Sequence, residues 1–193
     1  MSRGEILIFG IGNPGKKFEN TWHNLGLKIV DIFAKKNGFP KFKFEKELEA
    51  EISKKTIFQK KVILAKPKVY VNLSGKVAKK LVSKFGIENE NFWVVQDEID
   101  LPVGKMKISK GKSSAGHKGI ESIIENLKTK DFVRFRIGIQ PLCGKPENVG
   151  EFVLTKIGKK EKKCLQEVIE KAVEAIYLCI EKGIEAGMEK FNK

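Results

Sequence analysis

The chain has two histidines, and one of them, His23, closes the segment Ile11-Gly12-Asn13-Pro14-Gly15-Lys16-Lys17-Phe18-Glu19-Asn20-Thr21-Trp22-His23-Asn24. It is the one group in that segment able to exchange protons near neutral pH. An apolar run at residues 6–9 precedes the segment and an amphipathic pattern follows it. That order predicts a strand-to-helix turn on the carboxyl edge of a sheet, where open α/β folds put their ligand sites. Further along stand Asn72, the carboxylates Asp97 and Asp100 where another apolar run ends, and a Gly-rich stretch at 111–119 holding His117. No G-x-S-x-G elbow and no cysteine beside a histidine supplies a covalent nucleophile. A histidine, a strand-end carboxylate, carboxamides and backbone N–H groups in Gly-rich turns suit direct attack by water on an activated carbonyl such as an ester, with imidazole as general base. The residues alone leave other uses open: a core or helix-terminal role for His23, a turn role for Asp97, and packing for Phe18 and Tyr70.

The elements that must hold these groups alternate along the chain. Strands are expected at 5–10, 44–52, 56–59, 61–66, 92–96, 105–109 and 133–139, and helices at 24–36, 73–85, 117–126 and about 160–183. Leu165, Val168, Ile169, Ala172, Val173, Ile176 and Ile180 recur at the spacing of one helix face. The runs at 61–66 and 92–96 are continuously apolar, as buried central strands are, and the pair at 44–59 is polar enough for an edge. Asn20 or Thr21 is expected to cap the first helix, Asn72 the second, and Asp100 the turn Leu101-Pro102-Val103-Gly104. There is no repeat, linker or low-complexity break. The expectation is one α/β domain over residues 1–193, three-layered, with a mixed twisted sheet flanked by helices.

Composition narrows the class. The 193 residues are 41% apolar without a membrane-length run, and the N-terminal apolar run is too short for a signal peptide. Cys143, Cys164 and Cys179 form no C-x-x-C pair and read as reduced cytosolic thiols. A net charge of +14 predicts an anionic partner, nucleic acid first. Only three of the 38 basic residues are arginine, so a lysine-rich adaptation to a hot habitat accounts for the same excess. Gly10-x-Gly12-x-x-Gly15 follows a strand as a dinucleotide fingerprint would, but residues 16–21 read as loop where the fingerprint needs a helix, and Asp31 lies inside a helix pattern instead of ending a strand.

Taken together, G-x-G-N-P-G-x-x-F-x-x-T-W-H-N at 10–24, K-P-K-V-Y-V-N-L-S-G at 66–75, D-E-I-D-L-P-V-G at 97–104, and G-K-S-S-A-G-H-K-G at 111–119 followed by F-x-R-x-R-x-G at 132–138 resemble bacterial-type peptidyl-tRNA hydrolase, in order over nearly the whole length. The resemblance implies a monomeric, cytoplasmic esterase without metal or cofactor, which cleaves peptidyl-tRNA at its acceptor end and CCA terminus. It implies His23 as the base, Asp97 rather than Asp100 as its partner carboxylate, and Asn72 as the group fixing the water or the oxyanion. It assigns Asn13 to telling N-blocked from free aminoacyl-tRNA, Phe18 and Tyr70 to substrate contact, and Arg136 to a tRNA phosphate. His117 is implied either as a tRNA contact or as a turn-former.

The sequence departs from the family pattern in places. Trp22 stands for an arginine, Val71 for a methionine and Phe18 for a tyrosine, and the usual Gly-Gly-His-Asn-Gly is Ala115-Gly116-His117-Lys118-Gly119. Lys118 replaces a substrate-contacting asparagine with donors only and a full charge. The family's phosphate-binding lysine has become Ser109, and Lys107, two residues earlier on the same strand face, is the expected substitute. Lys159, Lys160, Lys162 and Lys163 read as either a tRNA-binding edge or a solvated turn. A catalytically reduced RNA-binding protein on the same fold is the alternative that Lys118 raises, and a general small-ester hydrolase fits the charge poorly.

Overall fold

The computed structural model describes residues 4–193. Its strands are β1 (Ile6–Gly10), β2 (Lys43–Glu45), β3 (Ala50–Ile57), β4 (Lys60–Pro67), β5 (Phe92–Pro102), β6 (Met106–Lys110) and β7 (Val133–Gln140). Its helices are α1 (Leu25–Lys36), α2 (Ser74–Phe85), α3 (Lys118–Leu127), α4 (Val149–Phe152), α5 (Lys162–Lys182) and α6 (Ile184–Phe191).

The apolar runs pair with one another at the centre, where both faces are covered and alternation is not needed. The sheet order is β2-β3-β4-β1-β5-β7-β6. β4, β1, β5 and β7 are parallel, while β2, β3 and β6 add antiparallel edges. Alternate residues of the central strands feed two cores. Ile8, Val95, Phe135 and Ile137 meet Leu25, Ile29 and Phe33 of α1 and Val168 and Ile176 of α5. On the other face Leu7, Phe9 and Val94 meet Val77 and Leu81 of α2 and Ile120 and Ile123 of α3. The result is a single three-layer α/β domain with a mixed seven-stranded sheet.

Several boundaries differ from expectation for local reasons. The run expected as one strand at 44–52 is broken by a 3-10 turn, Lys46–Leu48, which buries Leu48 and ends with Glu49 in the left-handed region. Residues 56–59 are not a separate strand. β3 continues to Ile57, and Phe58 and Gln59, with φ of 48° and 61°, make the two-residue hairpin turn into β4. β5 runs on past Gln96 to Pro102, so Asp97 and Asp100 lie within a strand. Asn72 is not the cap of α2; it sits inside the 3-10 turn Val71–Leu73, and Leu73 holds the cap position. Thr21 caps nothing through its side chain and instead donates to the Phe18 carbonyl, while Asn24 occupies the cap position of α1. Asp100 does not cap its turn but is exposed and paired with Lys145 at 2.7 Å. The final helix stops at Gly183, whose φ of 95° no helix continues, and α6 follows.

One close approach positions the site. A Cβ on Gly26 would strike the Val95 carbonyl oxygen, and one on Gly10 would meet the Gly26 carbonyl. Without those side chains the first turn of α1 lies directly on β1 and β5. The 3-10 turn Trp22–Asn24 that leads into α1 is thereby held over the carboxyl ends of both strands.

Candidate active site

His23 sits in that turn, and Asp97 projects from β5 to meet it. The imidazole Nδ1 lies 3.0 Å from both carboxylate oxygens, and both residues are buried. Because a carboxylate only accepts, the neutral imidazole carries its proton on Nδ1, which leaves the lone pair on Nε2. His117 joins from the N-cap of α3. Its Nδ1 accepts from the backbone N–H groups of Gly119 (3.1 Å) and Ile120 (3.4 Å), so its Nε2–H donates to Asp97 Oδ1 at 3.0 Å. Burial opposes protonation of His23, but the facing Asp97 charge and its hydrogen bond outweigh it and raise the pKa above 6.5. Burial alone would push the Asp97 carboxyl upward; the two histidines instead hold it far below the ordinary carboxylate range. The sequence-expected pair is therefore a trio, with both ring nitrogens of His117 engaged inside the protein.

The Asn13 backbone is clasped by Asn24, which accepts from its N–H at 2.8 Å and donates to its carbonyl at 3.0 Å. The Asn13 side-chain oxygen accepts from the Val71 N–H at 2.9 Å, and that donor fixes the carboxamide orientation. Its NH2 group is left to point elsewhere. Asn13 and Val71 line a cleft of about 510 Å³ with the trio, Glu98, Ile99, Lys118 and Lys145, and α4 with the residues just after it closes one side through Val149, Gly150, Val153 and Leu154.

The α4 wall carries no expected role in the sequence. The Val153 carbonyl accepts the His23 N–H at 2.9 Å, and Trp22 stacks on Phe152 with ring centres 5.6 Å apart. Ile157 donates to the Asn20 carbonyl at 3.0 Å, and Lys156 Nζ reaches the carbonyls of Lys17 and Glu19. The His23 turn is thus pinned from both sides. A signal was present: Asn148 accepts from the Glu151 N–H at 3.1 Å, and the Asn-x-x-Glu spacing is that of a helix start.

The remaining expected residues are less concentrated. Phe18 and Tyr70 touch edge to face, ring centres 6.3 Å apart, with Tyr70 exposed one residue before the cleft-lining Val71. Asn72 is exposed beside the cleft rather than lining it. Lys118 opens α3, lines the cleft and pairs at 3.1 Å with Glu121, the lysine side chain largely in solvent and the glutamate half-buried. Arg136 and Lys107 are register partners on β7 and β6 and so share a sheet face. Lys159 and Lys160 precede α5, and Lys162 and Lys163 form its first turn.

His23, Asp97 and His117 bring ligand-type atoms within 4.8 Å of one another. Each imidazole, however, aims an N–H at the carboxylate, so a metal would have to displace both protons. A histidine held by a buried carboxylate at the carboxyl ends of parallel strands, beside an open cleft, is a layout suited to a hydrolase. The comparisons narrow that class. A model of the family described as peptidyl-tRNA hydrolase matches residues 7–193. Curated proteins of that name from Thermodesulfovibrio yellowstonii (40% identity; 97% of this chain, 99% of that protein) and Caldanaerobacter subterraneus subsp. tengcongensis (43%; 96% and 98%) are similar along their whole length. The crystal structure of peptidyl-tRNA hydrolase from Acinetobacter baumannii superposes with a TM-score of 0.91 at 28% identity, covering 100% of this chain and 96% of that one. The chain belongs to the peptidyl-tRNA hydrolase family. Among the described residues no helix is long and apolar enough to cross a membrane.

Proposed function

We infer that this chain hydrolyses the ester bond of peptidyl-tRNA, releasing peptide and tRNA, with His23 as general base. The observation that carries the reading is the Asp97 carboxylate shared by His23 and His117 at the floor of an open cleft, with the second nitrogen of His23 unbonded among the described residues. His23 Nε2 takes a proton from water, a contribution of about 10²–10⁴-fold. Asp97 keeps the imidazole in the required tautomer and stabilises its protonated form. Asn72, exposed beside the cleft, orders the water or donates to the developing oxyanion. Asn13 presents donors, because its oxygen is occupied by Val71. A donor there reads the carbonyl of a blocked, peptide-like substrate, which a free aminoacyl group lacks. Phe18 and Tyr70 offer an aromatic rim for the CCA end, and Lys118 a charge near the scissile ester. Arg136 and Lys107 take an acceptor-stem phosphate. The enzyme works as a monomer in the cytoplasm without metal or cofactor.

Release of an N-blocked aminoacyl group from tRNA is the test. His23→Ala should lower turnover at least about 100-fold while leaving affinity for uncharged tRNA within about threefold. A wild-type protein that binds tRNA but releases nothing would instead identify a catalytically reduced RNA-binding protein.

A further inference from the structure

Glu98 is a buried carboxylate that the chemistry at His23 does not use. It follows Asp97 on β5, and only 4% of it is exposed. Its Oε2 accepts from Arg136 Nε at 2.8 Å, and its Oε1 accepts from the Asp100 N–H at 3.3 Å. The bond to Nε grips one edge of the guanidinium. The terminal nitrogens Nη1 and Nη2 have no partner among the described residues, and the Arg136 side chain is 17% exposed. Lys107, exposed, lies opposite Arg136 in the β6–β7 register.

The neighbouring guanidinium is arranged differently. Arg134 is 1% exposed and donates Nη1 to the Ser113 carbonyl at 2.8 Å, bracing the Gly-rich turn ahead of His117. Burial first and Arg136 second push its pKa down to about 10, with Glu98 acting the other way. One carboxylate therefore answers two guanidiniums, and it bonds the one that reaches solvent. A guanidinium recognises phosphate best with two parallel N–H groups in a fixed plane. Anchoring through Nε supplies that plane before the ligand arrives, which reduces the ordering cost of binding.

We propose that Glu98 is the positioning residue of the phosphate-binding end of this site: it holds Arg136 by Nε so that both terminal nitrogens, beside Lys107, face one phosphate of the tRNA acceptor stem. The proposal rests on the reading of Arg136 and Lys107 as phosphate contacts. Glu98 also stands next to Asp97 on the same strand, so the phosphate contact and the catalytic carboxylate are set by adjacent residues of one rigid element.

The test is a double-variant cycle of Glu98→Gln and Arg136→Gln. KM and kcat are measured with N-blocked aminoacyl-tRNA and with a small N-blocked aminoacyl ester, and thermal unfolding is followed for each variant. Glu98→Gln should raise KM for the tRNA substrate by about three- to tenfold, well beyond its effect on the small ester. That effect should disappear in the Arg136→Gln background. The double variant has no unpaired guanidinium at this position, so it stays informative even where Glu98→Gln alone is destabilised. A lower KM in Glu98→Gln would make Glu98 a competitor for Arg136 and overturn the proposal. So would equal losses on both substrates, or a loss that persists without Arg136. If Arg136→Gln raises KM for tRNA while Glu98→Gln does not, the positioning role alone fails. If Arg136→Gln leaves KM for tRNA unchanged, the phosphate reading fails and takes this proposal with it.

Discussion

His117 donates to the same Asp97 oxygen that faces His23, at 3.0 Å, and its other nitrogen is committed to the start of α3. The carboxylate that supports the base is thus shared. Part of its charge is drawn off by a second imidazole whose position is set by a helix terminus.

That sharing has a measurable sign. His117→Asn keeps a good N-cap for α3 but removes the donor to Asp97. The Asp97 charge then acts more fully on His23, raising its pKa further. A base must be neutral to work, so the acidic limb of the kcat/KM profile should move to higher pH. Turnover at pH 7 should fall several-fold through the larger protonated fraction. A limb that stays in place would mean that His117 serves the helix and not the carboxylate.

Asp97→Asn should shift the same limb in the opposite direction. The Asp97 charge and hydrogen bond are what raise the His23 pKa against burial; without the charge, burial prevails and the pKa falls. The limb moves to lower pH while turnover drops by at least about tenfold, because the imidazolium formed in the transition state loses its partner. Asp100→Asn breaks only an exposed pair with Lys145 and should leave turnover within about threefold. Equal losses from both variants would reassign the partner carboxylate.

Much of this arrangement was legible because periodicity and motif act locally. The apolar runs of β1, β4 and β5 and the 3-4 spacing of α5 name their own elements. His23, Asn13 and Asp97 are marked by type and by the strand-to-turn setting. What stayed hidden depends on tertiary contact. Nothing near residue 117 in the chain announces a carboxylate twenty positions earlier, and the α4 wall is defined by Trp22, which stacks on Phe152. Asp100, read as a turn cap, was taken instead by Lys145, a partner 45 residues away.

Ala115 makes a stability prediction at the site's edge. Its φ is 50°, followed by Gly116 at 80°, and together they turn the chain into His117. A left-handed alanine costs about 1–2 kcal/mol, while glycine forfeits about 0.5–1 kcal/mol in backbone entropy. Ala115→Gly should therefore gain about 0.5–1 kcal/mol, read as a rise in Tm of roughly 2 °C. A fall in Tm would show that the methyl group packs favourably enough to offset the strained backbone.

Lys118 tests how much the family's asparagine matters. Its pair with Glu121 is solvent-exposed, so Lys118→Asn should change stability by no more than about 0.5 kcal/mol. The cleft keeps its shape, and an asparagine restores an acceptor beside the ester. Turnover on N-blocked aminoacyl-tRNA should be preserved or improved. A collapse of activity would mean that this chain has built its substrate contact around the lysine charge.

The basic excess makes the last prediction, and it separates two kinds of positive charge. If Arg136 and Lys107 together neutralise one acceptor-end phosphate, that contact releases condensed counterions and needs both residues. Log K for tRNA then falls with log salt by about 0.7–0.9 per contact. Arg136→Ala and Lys107→Ala should each flatten that slope by about one contact and raise KM more than they lower kcat. The two sit opposite one another in the β6–β7 register, so their effects should couple rather than add. Lys159 and Lys160, before α5, serve as the control. If they are a solvated turn, their alanine variants leave the slope alone; if they form a tRNA edge, they flatten it without coupling to Arg136. A slope unchanged in Arg136→Ala and Lys107→Ala would remove the β6–β7 face from the tRNA path and leave the +14 charge to act as a diffuse field.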